Sequence, residues 1–393
     1  MDSASALTGG PFAYVPSNDT GTNTFSIVNL ATKLKVGNDV VIDPPDHPQG
    51  TSSAFYGVAV SPKTGMLFIS DDGRSEAVFQ IDISKIGTAT NPVVKYYNVG
   101  NNPHGMAVDP SGKHVYVAQF GVSNVSIIDT TANNDPNNHN AGISSVDFGK
   151  LSGSNGAQPF DVKLNLGGTV AYVSDASTNG RVCRFNAVAP PASVSDADCV
   201  AVGTAPNSGG ENPNALAVSP DGTRVYVVNR NDNSISVLDT TQVDATTHNP
   251  ILTIVRSFKL RFGGNVIAGP NGIAINPSGK RAYVGMSTGH ILSVDLLLAD
   301  KNPLQNPPEP VVLDLTNPAQ ISNVLGVAIS PDAQRVVAAD FDTGLLHFVN
   351  IVNDVDSYDG SVPVNAGPRA FGQFAGPDDR IFVSEIGSTA AGG

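Results

Sequence analysis

The chain is predicted to be all-β, a seven-bladed β-propeller of four-stranded antiparallel blades, and three observations carry that prediction. A six-residue phrase recurs seven times at intervals of 46 to 57 residues. Each copy is followed by the same order of turn and strand signals, and the strands are rich in Val and Ile on both faces. A period near fifty with turns inside each unit marks a propeller. Apolar residues on both faces suit sheets stacked round an axis, where every sheet is covered from both sides.

The phrase is Gly57–Pro62, repeated at Gly105–Pro110, Asp161–Leu166, Ala215–Pro220, Gly272–Pro277, Gly326–Pro331 and, in worn form, Gly372–Pro377. It reads as the innermost strand. A turn such as Ser219-Pro-Asp-Gly222 follows, with Pro presetting φ, Asp bonding the local backbone and Gly accepting positive φ. The second strand is Arg224–Val228, echoed by His114–Val117, Val170–Val173 and Arg281–Val284. The third is Ser234–Asp239, echoed by Asn124–Asp129 and His290–Asp295, and a looser fourth is exemplified by Ile254–Leu260. The N-terminus offers Phe12–Val15 as a second strand and Thr24–Val28 as a third; the C-terminus offers Gly372–Ala375 as a first and Arg380–Val383 as a second. Mixing both termini in one blade closes the ring and removes an open sheet edge. Phe12–Val15 and Arg380–Val383 compete for one slot, so one lies outside the blade or adds a fifth strand; eight blades is the alternative count. Residues 1–393 read as one domain, with 1–11 and 387–393 as flexible tails.

The units Val225-Tyr-Val-Val-Asn229 with Ser236–Asp239, and Val115–Val117 with Ser126–Asp129, resemble the YVTN-type β-propeller repeat family over roughly Phe12 to Glu385. That superfamily includes surface-layer and periplasmic binding proteins, lactonase-like enzymes and large subunits of amine dehydrogenases. The resemblance therefore implies the fold and leaves the function to be argued from a site.

Composition narrows the classes. With 22 Lys and Arg against 35 Asp and Glu, the net charge of −13 argues against nucleic acid as a partner. It favours cationic partners or calcium-rich surroundings. No apolar run reaches the roughly 18 residues of a membrane span, so membrane insertion is not expected. There is no Trp, which disfavours a stacking platform for sugars or bases. The N-terminus shows no basic region followed by an apolar core, so the chain is either cytoplasmic or a mature exported form. Cys183 and Cys199 have no zinc-type spacing; one disulfide pinning a long loop is the preferred reading, two thiols the alternative. The paired reading favours a periplasmic or secreted protein.

The residues opening the innermost strands, Tyr56, His104, Phe160, Asn214, Asn271, Leu325 and Phe371, are expected to ring one mouth of the axial channel. The small residues beside them suit a crowded axis. The second strands end on the same face, bringing Asp71, Gln119, Asp175, Asn229, Asp340 and Glu385 nearby. Two readings stand: a mouth plugged by side chains with Asp and Asn satisfying turn N–H groups, or an apolar and aromatic floor rimmed by carboxylates. If Asp71, Asp175, Asp340 and Glu385 converge, a hard cation such as Ca2+ follows, with Asn oxygens completing its shell. That arrangement resembles the calcium-dependent propeller lactonases. Of seven histidines, His104 alone falls at the mouth, where a general base could act.

No Walker A, GxGxxG or HExxH is present. Gly285–Gly289 fits GxSxG but sits where a hairpin turn is expected, without a following helix. The opposite face is expected to carry long third-to-fourth-strand connections, among them Asn350–Val364, whose Asp354–Gly360 vaguely resembles a calcium loop but has the wrong spacing and no distal Glu, so a solvated loop is the preferred reading. The leading expectation is a non-catalytic extracytoplasmic protein that binds a protein partner or small ligand. The alternatives are a Ca2+-assisted lactonase-type hydrolase at the channel mouth, or a subunit of a redox or surface assembly.

Overall fold

The computed structural model describes residues 12–385 apart from 20–21, 30–31, 36, 38–39, 43–54, 62, 73–75, 87–89, 133–137, 153–155, 206–210, 247–250, 300–311, 316–320, 331–332, 353–354, 365–367 and 373–380. Six copies of the repeat each build a four-stranded antiparallel sheet. From axis to rim, blade 1 comprises Phe55–Ser61, Met66–Asp71, Ala77–Asp82 and Val93–Asn98; blade 2, Pro103–Val108, His114–Gln119, Asn124–Asp129 and Ile143–Asp147. Blade 3 is Pro159–Leu164, Val170–Asp175, Arg181–Asn186 and Cys199–Ala201; blade 4, Pro213–Val218, Arg224–Asn229, Ser234–Asp239 and Thr253–Lys259. Blade 5 is Pro270–Ile275, Arg281–Met286, Ile291–Asp295 and Val312–Asp314; blade 6, Val324–Ile329, Arg335–Asp340, Leu345–Val352 and Val355–Pro363.

The seventh blade takes strands from both ends of the chain. Its order from the axis is Pro368–Gly372, Ile381–Glu385, Phe12–Asp19 and Thr22–Asn29, with the short Leu34–Lys35 and Val40–Val41 both pairing on the last. The competition for one slot is thus resolved by inclusion: Phe12–Asp19 is the third strand, not the second, and it runs parallel to Ile381–Glu385 through Ala13↔Ile381 and Tyr14↔Phe382. The innermost strand begins at Pro368 rather than at Gly372, because Pro368 pairs with Glu385 as Pro103 does with Gln119. By that register Arg369, not Phe371, is the equivalent of Phe160. The side chains of Arg369, Phe371 and Glu385 lie outside the described residues, as do the proposed tails.

The ring is closed. Each innermost strand lies against the next, and that of blade 7 against that of blade 1. Seven hydrophobic clusters fill the seven gaps between blades. Val237 meets Val284 between blades 4 and 5, for example, while Ile27 packs toward blade 1 and its neighbour Val28 toward blade 6. Successive side chains of a strand face opposite ways, so a Val/Ile-rich strand serves two cores at once. Each such residue fully buried contributes about 1.5–3 kcal/mol.

Turns form as their residues dictate. At Ser219–Gly222 the Gly222 N–H donates to the Ser219 carbonyl at 2.9 Å with Gly222 at φ 72°, and Asp221 Oδ1 accepts from Thr223 N–H at 3.0 Å. The long connection expected over 350–364 is instead a strand pair, Asn350↔Ser357 in register. Asp356, whose side chain is fully buried, accepts from Arg281 Nη1 (2.7 Å), Tyr283 Oη (2.8 Å) and Ser293 Oγ (2.8 Å). It staples blade 6 to blade 5 and is not part of a calcium loop. Of Gly285–Gly289, the first two residues end the second strand of blade 5 and the last three lie in the hairpin turn expected there.

Cys183 and Cys199 face each other across the third and fourth strands of blade 3 and are disulfide-bonded. The bond holds a fourth strand of three residues, so Cys199→Ala is expected to cost about 2–4 kcal/mol, read as a lowered denaturant midpoint. Among the described residues no helix is long and apolar enough to cross a membrane.

Candidate active site

Where the innermost strands converge, a cavity of about 480 Å3 opens on the face carrying the fourth-to-first and second-to-third connections. Tyr56, His104, Phe160, Asn214, Asn271 and Leu325 all line it, together with residues the sequence did not single out: Asp72, Phe120, Lys163, Arg230, Asn323 and Phe341.

Close approach at the axis sets this geometry. A Cβ on Gly105 would overlap the Asp161 carboxylate, and one on Gly272 would meet the Leu325 carbonyl. Adjacent inner strands are then tied by second-strand serines. Ser70 of blade 1 donates to the His104 carbonyl at 2.8 Å, and Ser174 of blade 3 to the Asn214 carbonyl at 2.6 Å. The residue that faces the cavity in each next blade is therefore fixed through its own backbone.

One wall is aromatic. The His104 ring stacks on Tyr56 (centroids 3.8 Å, planes 4° apart) and on Phe120 (4.9 Å, 3°). Phe160 meets all three rings edge-on at 5.1–5.9 Å. Such pairs add about 0.5–1.5 kcal/mol beyond burial, so the imidazole is held rigidly. Its Nε2 lies 3.3 Å from Asp72 Oδ2, and its side chain is 7% exposed. A histidine oriented by a carboxylate inside a cavity can accept a proton from water or a substrate.

The opposite wall is made of amides. Asn214 and Asn271 are buried. Asn271, which lines the cavity, donates from Nδ2 to the Val324 carbonyl at 3.0 Å. The Oδ1 atoms of Asn214, Asn271 and Asn323, and Oδ1 of Asp72, are buried without a hydrogen-bond partner among the described residues. Buried unsatisfied acceptors are uncommon and call for a reason. Four in one cavity suit a ligand that brings donors. Positive charge comes from Lys163, whose Nζ is 2.6 Å from Asp161 Oδ1, and from Arg230. Asp161 in turn accepts from the Leu216 N–H of blade 4 through Oδ2 at 3.0 Å.

Of the carboxylates expected to gather a cation, the three whose side chains are described do not do so. Asp71, Asp175 and Asp340 are buried within their own blades. Asp175 accepts from the N–H groups of Gln158 (2.8 Å) and Ser177 (3.1 Å) and pairs with Arg181 Nε at 3.1 Å. Asp340 accepts from Ser322 N–H (2.8 Å) and Asn323 N–H (3.1 Å); His347 and these N–H groups outweigh burial and hold its pKa down at about 2. The reason for the displacement is the two-residue period of a strand: the last residue of the second strand turns into the blade, and the next one (Asp72, Phe120, Arg230, Phe341) turns to the axis. Among the described residues no group of three or more His, Cys, Asp or Glu could hold a metal. The donor set at the mouth, two carboxylates beside two cations with Asp161 already held by Lys163 and the Leu216 N–H, also fits calcium poorly. Millimolar calcium is expected to move Tm by less than about 1 °C; a rise of several degrees would mean a cation site on this chain.

A sequence profile described as "Lactonase, 7-bladed beta-propeller" matches residues 37–286. The chain belongs to this lactonase family. The profile does not speak to the YVTN-type likeness of the repeats. No curated protein sequence matches the chain. Among solved structures this lactonase-family propeller is similar to a periplasmic gluconolactonase of Pseudomonas aeruginosa, at 13% identity and TM-score 0.66, covering 90% of this chain and 96% of that one. It is similar also to a putative 6-phosphogluconolactonase of Bacteroides fragilis, at 12% identity and TM-score 0.64, covering 90% and 95%. Hydrazine synthase of Kuenenia stuttgartiensis shares the architecture at 18% identity and TM-score 0.59, covering 87% and 95%. At these identities the likeness shows the fold alone.

Proposed function

We propose that the chain hydrolyses the ester bond of a hydroxylated lactone in the mouth cavity, with the His104–Asp72 pair as the base. The observation that carries this reading is the pairing of His104 with Asp72 inside the cavity of a lactonase-family propeller. It ranks above the expected non-catalytic binding role because this pair lines the cavity, whereas the His114–Asp109, His290–Asp314 and His347–Asp340 pairs of the same chain do not. In the reaction the pair takes one proton from water while the water oxygen bonds to the lactone carbonyl carbon. The carbonyl oxygen gains the negative charge, which Lys163 and Arg230 stabilise. The carbonyl re-forms, the ring C–O bond breaks, and the leaving oxygen takes back the proton, giving a hydroxy acid.

The partnerless oxygens of Asn214, Asn271, Asn323 and Asp72 support a substrate bearing hydroxyl donors. The neighbour that is a gluconolactonase supports the same class. A location outside the cytoplasm belongs to this proposal, supported by the Cys183–Cys199 bond and by the periplasmic neighbour.

A pH-stat assay of paired lactones tests it. Glucono-δ-lactone is expected to be hydrolysed with kcat/KM at least about 100-fold above that for δ-valerolactone, which has the same ring and no hydroxyls. Equal rates would remove the hydroxyl argument, and no turnover of any lactone above the water rate would remove the function.

A further inference from the structure

His347 is fully buried on the third strand of blade 6 and does not line the cavity. Its Nε2 lies 3.3 Å from Asp340 Oδ2 and its Nδ1 2.9 Å from Tyr358 Oη. Because Asp340 stays ionised, its carboxylate can only accept, so Nε2 carries the proton and donates. Asp340 in turn receives the N–H groups of Ser322 and Asn323. The Asn323 carbonyl accepts from Phe341 N–H at 2.9 Å, and the next carbonyl, Val324, accepts from Asn271 Nδ2. One strap, residues 322–324, thus places two of the three cavity-lining asparagines whose oxygens are partnerless among the described residues. In blade 3 the equivalent carboxylate, Asp175, is paired with an arginine, Arg181. Blade 6 uses a histidine in that role.

We propose that His347 is a positioning residue for the substrate-binding wall: through Asp340 it fixes the strap that holds the Asn323 and Asn271 side chains at the cavity. The inference rests on the hydrolase reading for its kinetic consequence and stands on geometry alone for its structural one. Losing the Nε2 donor leaves Asp340 buried and undercompensated, and the strap shifts to recover water or another donor. Ground-state contacts to the substrate weaken while the His104–Asp72 pair is untouched, so KM rises and kcat holds.

The test combines kinetics with spectra of protein carrying 15N-asparagine, the side-chain signals of Asn214, Asn271 and Asn323 being identified by single alanine substitutions. His347→Leu is expected to move the Asn271 and Asn323 signals, leave Asn214 in place, and raise KM for glucono-δ-lactone about tenfold with kcat within about twofold. His347→Gln, which keeps a donor, is expected to stay near wild type. His347→Leu with Asn323→Ala is expected to be no worse than Asn323→Ala alone. If His347→Leu does not fold, Tyr358→Phe replaces it and is expected to move the same two signals. Unmoved signals, or all three moving alike, would overturn the proposal. Should the wild type hydrolyse no lactone, the functional reading falls while the spectra still decide this one.

Discussion

His104→Ala is expected to lower kcat/KM for lactone hydrolysis by about 100- to 10,000-fold, the usual contribution of a positioned general base. Two causes are mixed in that substitution, because the ring is also a partner of Tyr56 and Phe120. His104→Phe separates them: it keeps an aromatic ring in the stack and removes the base. Activity should fall as far as in His104→Ala, whereas stability should stay closer to wild type. Asp72→Asn tests the other half of the pair. It keeps the shape, removes the charge that favours the protonated imidazole, and should lower kcat more than it raises KM. A His104→Phe protein with near-normal kcat/KM would place the chemistry elsewhere.

The largest effect on stability is expected from Gly105→Val. The added carbons would occupy the space of Asp161, whose backbone and carboxylate lie against Gly105 with no flexible end to give way. Asp161 also accepts from Leu216 N–H and pairs with Lys163, so pushing it aside breaks the tie between blades 3 and 4. A cost of about 3 kcal/mol or more follows from overpacking together with a broken buried hydrogen bond. Thermal unfolding should report it as a lowered Tm. Adding Asp161→Gly, the residue that blades 1, 2, 5 and 6 carry at this position, should recover part of the loss. A Gly105→Val protein as stable as wild type would mean that the inner strands are not in close contact here.

The ring was legible because its signal is repeated. An apolar-Ala-apolar phrase, a Pro-Ser/Asp-Gly turn and a Tyr-Val pair each recur, so errors in one copy are corrected by the others. The two misplacements fall where that redundancy fails. In blade 7 the phrase is worn, and the register shift went unseen until Pro368 paired with Glu385. In blade 6 the polar run Asp356-Ser-Tyr-Asp-Gly360 resembles a loop, yet it pairs as a strand because Asp356 is neutralised by Arg281 from the preceding blade, a contact no local pattern encodes.

The site was half legible for a related reason. Ring positions such as His104 and Asn271 follow from counting along the phrase. The second-strand ends were counted correctly and credited with the wrong direction, since the register of side chains decides whether Asp71 or Asp72 reaches the axis. Lys163 did leave a signal. Blade 3 reads Asp161-Val-Lys where other units read Gly-Val-Ala or similar, and a charge in place of a small residue at the axis marks a departure from the scaffold's own needs. Asn323 left none, because its aim depends on Asp340 and His347, brought to it by pairing between strands.

The most direct measurement is a crystal structure with a lactam analogue of glucono-δ-lactone, which keeps ring and hydroxyls and resists opening. The expected result places its carbonyl carbon beside His104, with ring hydroxyls donating to the Asn214, Asn271 and Asn323 oxygens at about 2.7–3.0 Å. An analogue that binds on the opposite face, or that leaves the mouth empty while competitively inhibiting hydrolysis, would contradict the account.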